Sequence, residues 1–326
     1  MIANYIRREP KEKLKILTFA THERYETNLA RTGHDFYSLQ LSKLKTWNKS
    51  IDVPANYHLM PVDRFFPTGG YDLILAQSRF GQIQTAQDIN KKLNIPIISL
   101  EHTVPTPNMT EEQHRQMGQL QGDVNVFISN YSASAWHHFG VNRNLNLVEH
   151  CVDQDVFKPK RTIEKVPGIL TVANDFKNRD YCLNYSGWER LTGGLPAKII
   201  GENNPGGESI SDPNELCDQY NKCSVYLNTT TFSPIPMSLL EAMSCGCAVV
   251  STATCAIPEV IKHGYNGFIS NNEQELRGYI QGLLDNPELR EEIGANARKT
   301  IEERFTEKLF VDSWNELFYK TYEASL

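Results

Sequence analysis

Short runs of consecutive apolar, β-branched residues recur along the chain: LKILTF at 14–19, YDLILAQ at 71–77, IPIISLEH at 95–102, VNVFIS at 124–129 and LNLVEH at 145–150. A second series follows, with GILTVA at 168–173, AKIIGEN at 197–203, CSVYLNT at 223–229 and CAVVST at 247–252. Most lack strict polar alternation, which predicts strands buried on both faces of a parallel sheet. The stretches between them, such as FGQIQTAQDINKKLN at 80–94 and SLLEAMSCG at 238–246, are long enough for crossover helices. Strands and helices alternating in this way predict an α/β fold with parallel sheets.

The two series part at CVDQDVFKPKRTIEKVPG, a polar stretch with Pro159 and Pro167 that reads as an interdomain linker. Near the end, PELREEIGANARKTIEERFT places Leu289, Ile293, Ala297 and Ile301 on one helical face, and an amphipathic LFVDSWNELFYKTYEASL closes the chain. Two such domains leave a cleft between the carboxyl ends of their strands, where α/β sheets bind ligands. The first strand runs into THERYETN rather than a G-x-G-x-x-G turn, which speaks against an NAD dehydrogenase.

Composition adds exclusions. With 326 residues, 40% hydrophobic and 22% charged, the chain suits two globular domains and is neither collagen-like nor disordered. No apolar run reaches the roughly 18 residues of a membrane span, and MIANYIRREPKEK lacks the apolar core of an export signal. A cytoplasmic protein without membrane insertion is expected. The seven cysteines (151, 182, 217, 223, 245, 247 and 255) have no C-x-x-C spacing, so neither a disulfide framework nor a zinc site is expected. Residues 1–150 carry 16 basic and 14 acidic side chains and the remainder 17 and 25, so a local positive excess sits in the first half of a chain of net charge −6. That excess fits either ordinary surface variation or an anionic partner.

The most informative stretch is NTTTFSPIPMSLLEAMSCGCAVVSTATCAIP at 228–258. A buried strand ends at Asn228, a Ser/Thr/Pro loop follows, and a helix is expected from about Met237. Free amides and the dipole of that helix would attract a phosphate. Glu241, about one turn in, could accept two hydroxyl hydrogen bonds, as from a ribose diol.

This stretch, with IPEVIKHGYNGFI after it, resembles the retaining glycosyltransferases of family 4. Glu241, Ala242, Gly246, Val249, Val250, Glu259, Val260, Gly264 and Gly267 fall on the family's pattern. VEHCVDQDVFKP at 148–159 looks like its linker signature. The resemblance implies a GT-B architecture of two facing Rossmann-like domains: an acceptor-side domain at 1–153, a nucleotide-sugar domain at 154–308 and a C-terminal helix at 309–326 crossing back to the first domain. It also implies a donor site formed by Asn174, Lys177, Arg179, Ser233, Pro234, Ile235, Pro236, Met237, Ser238 and Glu241. His102, Arg179 and Glu241 would carry the reaction, and His22, Glu23, Arg24 and Ser129 would lie on the acceptor side. Ser129 reads equally well as a helix N-cap. The chain departs from the family where Ser233 replaces the first glutamate of its Glu-x7-Glu pair, where Pro234 and Pro236 replace glycines, and where Asn174 stands at an arginine position.

The implied activity is retaining transfer of a hexose from a nucleoside-diphosphate sugar, expected to be UDP-linked, without a metal or other cofactor. The compact chain also looks like the small glycosyltransferases of tailed phages, which would place it in a host cytoplasm. Hydroxymethylated pyrimidine bases of DNA and surface glycans are the acceptor candidates. A nucleotide-sugar 2-epimerase and a non-catalytic nucleotide-sugar-binding protein are the alternatives. Oligomeric state is not readable from the chain.

Overall fold

The computed structural model describes residues 13–326 apart from 45, 49, 50, 66–68 and 80. The segment 1–12, read above for an export signal, therefore lies outside the described residues. Seven parallel strands form the first sheet: β1 (Lys15–Thr18), β2 (Asp35–Gln40), β3 (Tyr57–Pro61), β4 (Leu73–Ala76), β5 (Ile97–Glu101), β6 (Val124–Phe127) and β7 (Leu145–Leu147). Their spatial order is β3-β2-β1-β4-β5-β6-β7. The second sheet contains β8 (Val166–Val172), β9 (Ala197–Ile200), β10 (Cys223–Asn228), β11 (Ala248–Ser251) and β12 (Phe268–Ile269), ordered β12-β11-β10-β8-β9. Both are parallel throughout, as the apolar runs predict, and each has the Rossmann-like form that the resemblance implies.

The central strands are buried on both faces, LILA in β4 and AVVS in β11 without exception. β2, β3 and β12 were not among the expected strands. Mixed exposure interrupts the apolar runs of β2 and β3 toward the sheet edge, and β12 is two residues long. β8 also begins at Val166, inside the stretch read as linker. That linker joins the two cores directly: Val148 and Cys151 pack into the first, and Val152 and Phe157 into the second.

Two later helices fix the positions of cleft residues. Glu307–Glu323 packs Phe310, Trp314, Leu317, Phe318 and Tyr322 into the first core, and Trp314 Nε1 donates to the Tyr25 hydroxyl at 3.2 Å. Pro287–Arg304 crosses the helix Met237–Ser244 where Gly294 meets the carbonyl of Gly246 too closely for a Cβ. Gly246 itself has φ +72°, which turns the chain sharply from that helix toward β11.

Candidate active site

A cleft of about 360 Å³ opens between the two domains. Its lining comes largely from residues just beyond the carboxyl ends of strands: Thr21 and His22 after β1, His102 after β5, His150 after β7, Ala173 and Asn174 after β8, and Asn228 to Thr230 at the end of β10. Parallel strands deliver their C-terminal loops to one edge, so residues far apart in sequence converge there. Of the expected donor residues, Asn174, Arg179, Ser233, Ile235, Pro236, Met237 and Ser238 line this cleft, opposite His22 and His102.

The helix Met237–Ser244 begins without a side-chain cap, because Pro236 occupies the N-cap position. Its first amides are thus available at the cleft wall, with the positive end of the helix dipole behind them. Tyr226 donates its hydroxyl hydrogen to Ser238 Oγ at 2.9 Å, fixing that first turn against β10. Arg179 is exposed at the cleft. Asp180, its obvious structural partner, instead accepts from Ser186 N and Oγ at 2.8 and 2.9 Å. Asn174 accepts the Glu202 amide through Oδ1 at 2.9 Å.

On the facing wall, the Tyr25 ring stands nearly perpendicular to His102 and His150, with ring centres 4.6 and 5.7 Å away, and the two imidazoles are parallel at 6.2 Å. Burial and neighbouring histidines lower His102 to about 3 and His150 to about 4, so both rings are neutral at physiological pH. His150 and Tyr25 were absent from the expected set. The signal for His150 was present, because LVEH and SLEH end two strands in the same way.

The remaining expected residues lie elsewhere. Glu241 and Arg24 line a side cavity of about 170 Å³, separated from the main cleft by Met237, which lines both. The Glu241 carboxylate is buried, 2.6 Å from Arg24 Nη1, and accepts from the Tyr220 hydroxyl at 3.0 Å. Burial pushes its pKa up while Arg24 opposes the shift. Glu23 is buried and accepts the Asn48 amide at 3.0 Å rather than facing the cleft. Ser129 is fully buried as the N-cap of Asn130–His138, accepting from Ser132 N at 3.0 Å, so its capping alternative describes its place. Lys177 is exposed over the Tyr185 ring, and Pro234 is buried; neither lines the cleft. A second tie between the domains comes from Glu259, whose carboxylate accepts the Asn130 and Tyr131 amides at 3.1 and 2.7 Å. Among the described residues no group of three or more His, Cys, Asp or Glu could hold a metal ion, and no helix is long and apolar enough to cross a membrane.

Comparison with known proteins agrees with this fold. Residues 209–300 match the family described as Glycosyl transferases group 1. In solved structures, Anabaena HepE in complex with UDP-glucose superposes with a TM-score of 0.73 at 16% identity, over 96% of this chain and 100% of that one. Sucrose-phosphate synthase from Thermosynechococcus elongatus does so with a TM-score of 0.78 at 13% identity, over the same shares. The fold is GT-B, and the match to the glycosyl transferases group 1 family lies within the second domain.

An uncharacterized glycosyltransferase of Methanocaldococcus jannaschii is 37% identical over 83 residues, 25% of this chain and 21% of that protein. N-acetyl-alpha-D-glucosaminyl L-malate synthase of Bacillus anthracis is 32% identical over 83 residues, 25% and 22% of the two chains. The aligned stretch thus spans about a fifth of the length of either relative. The group 1 segment contains Ser233, Glu241 and Glu259, whereas His102, Asn174 and Arg179 lie outside it.

Proposed function

We propose that this chain is a retaining, metal-independent glycosyltransferase that moves a hexose from a UDP-linked donor to an acceptor hydroxyl. The observation that carries the reading is convergence at one cleft: the exposed Arg179 and the uncapped helix start at Met237 on one wall face the neutral His102 on the other. Arg179 and the amides of Met237 and Ser238 would take the diphosphate, since guanidinium and helix N-terminus both favour phosphate oxygens. Lys177 would add positive charge at the rim, and Asn174 and Ser233 would hydrogen-bond the donor. Glu241 would hold the ribose through the side cavity. His102 would meet the donor sugar near the reacting carbon, and His22 would meet the acceptor.

In the reaction, the bond from the anomeric carbon to the diphosphate oxygen breaks and a bond to the acceptor oxygen forms on the same face. The acceptor proton passes to a diphosphate oxygen. The protein's contribution is orientation and stabilisation of the departing negative charge. Support for a UDP donor comes from HepE, solved with UDP-glucose and with UDP. The acceptor would be a hydroxymethylated pyrimidine base of DNA, for which the positive excess of residues 1–150 speaks, or a surface glycan. A thermal-shift panel of nucleotide sugars, followed by mass spectrometry of candidate acceptors, tests the reading. Hexose added to an acceptor only with donor present supports it; donor epimerised without acceptor would assign the chain to the epimerases.

A further inference from the structure

Behind the cleft wall three side chains form a line that the reaction scheme above does not use. Glu26 is fully buried on the helix Glu23–Ala30. Its Oε1 accepts two N–H groups, Thr21 N at 3.1 Å and Gln77 Nε2 at 2.7 Å, and its Oε2 lies 3.1 Å from the Tyr57 hydroxyl. Gln77, itself buried just beyond β4, places its Oε1 3.3 Å from His102 Nε2. We propose that Gln77 and Glu26 are positioning residues that hold His102 as the Nε2–H tautomer and leave Nδ1 as a bare acceptor for a substrate hydroxyl. That the hydroxyl belongs to a donor sugar or acceptor rests on the glycosyltransferase reading; the tautomer does not.

The orientation of the Gln77 amide decides the matter. An ionised carboxylate can only accept, so the Gln77 group facing Glu26 Oε1 is then its NH₂ and its oxygen faces His102, the orientation the structure has. That oxygen can only accept, which requires hydrogen on His102 Nε2. Burial pushes the Glu26 carboxyl up to about 7, so its charged and neutral forms are both populated near neutral pH. The arrangement survives either way. Oε1 already receives two N–H donors, so a proton bound to Glu26 sits on Oε2, from which it is donated in a hydrogen bond to the Tyr57 oxygen. A neutral imidazole carries one N–H, so Nδ1 retains its lone pair. Among the described residues Nδ1 has no hydrogen-bond partner, and it is not among the buried polar atoms left unpaired. The ring lines the cleft and packs at right angles to Tyr25.

The test is long-range ¹H–¹⁵N correlation on the full-length protein, with the His102 ring assigned through His102→Asn. The wild type is expected to show hydrogen on Nε2 and none on Nδ1 at neutral pH; an Nδ1–H ring overturns the proposal whatever the enzyme's activity. Gln77→Leu should release the ring into a mixture of tautomers and lower kcat at least about tenfold, with nucleoside diphosphate affinity within about twofold. Gln77→Glu, whose carboxyl shares one proton with Glu26 and keeps an acceptor oxygen opposite Nε2, should show the Nε2–H signature. Unchanged tautomer and kcat in Gln77→Leu refute the positioning role. A wild type showing the expected tautomer but binding no nucleoside diphosphate and transferring no sugar refutes the glycosyltransferase reading instead.

Discussion

Arg24 of the first domain and Glu241 of the second form an ion pair of 2.6 Å across the interdomain space, with Glu241 buried and the Arg24 side chain about one-third exposed. The Tyr220 hydroxyl occupies the other carboxylate oxygen, and the Arg24 guanidinium also lies over the Phe157 ring at the linker. A ribose diol reaching Glu241 must therefore exchange with partners already in place. Removing one member of a buried pair leaves an uncompensated charge, and solvent moderates the effect at the exposed end. Arg24→Ala should destabilise the protein by about 2 kcal/mol, between the values for exposed and buried pairs. A double-mutant cycle with Glu241→Gln, followed by chemical denaturation, checks this. Strictly additive effects would show that the pair does not join the domains energetically.

Acid should weaken the fold through three histidines, two at the cleft and His34 behind the first sheet's edge against Phe318 and Tyr319. His34, His102 and His150 have folded values lowered by burial to about 4, 3 and 4, against an ordinary 6.5. Between these values the unfolded chain binds protons that the folded chain refuses, so their stabilisation is present above pH 6.5 and is lost as pH falls toward 4. Glu26 acts with the opposite sign: its folded value of about 7 exceeds 4.5, so its contribution is lost as pH rises between them. Burial also raises Glu101 and Glu241, in the direction of Glu26, and lowers His114, in the direction of the histidines, so the sign is tested on the histidines alone, whose share of the stability should fall on acidification from pH 6.5 to 4.5. His150→Asn should flatten that dependence by about 1.4 kcal/mol per pH unit, one proton's worth. An unchanged slope would show that His150 titrates normally in the folded protein.

Chelation should spare activity. The proposed diphosphate site consists of Arg179 and helix amides, which need no divalent ion to neutralise a leaving group. Turnover in EDTA should stay within about twofold of that without it. Loss of turnover, restored by Mg²⁺ or Mn²⁺, would reject this account of the leaving group.

The two acceptor chemistries separate by mass and salt. DNA containing hydroxymethylcytosine or hydroxymethyluracil should gain hexose mass, unmodified DNA should not, and the rate should fall as salt rises, because phosphate contacts release counterions. Unlabelled modified DNA alongside an extended glycan would remove DNA as the acceptor.

How much of this was legible in the chain follows from burial. β4, β5, β6, β10 and β11 lie at or near the middles of sheets, covered on both faces, so their apolar runs are nearly unbroken and stand out. β2 and β3 alternate between buried and accessible positions, and that weaker pattern merges with the surrounding loops. In the site, His102 and Asn174 were readable because each follows a strand run at its carboxyl end. The pairing of Arg24 with Glu241 spans 217 residues and that of Glu26 with Gln77 spans 51, and no local pattern records either. Ser129 fits both a cleft and a cap in sequence; only the Ser132 amide bonded to its Oγ places it.

Titration calorimetry with UDP and a UDP-hexose, on the wild type, Arg179→Ala and Glu241→Gln, tests the central claim most directly. Charge-assisted hydrogen bonds contribute about 1.5–3 kcal/mol and about 1.4 kcal/mol is tenfold in affinity. The account predicts saturable one-to-one binding by the wild type, weakened at least about tenfold in each folded variant. No binding of either ligand by the wild type, or binding undiminished in both variants, would contradict it.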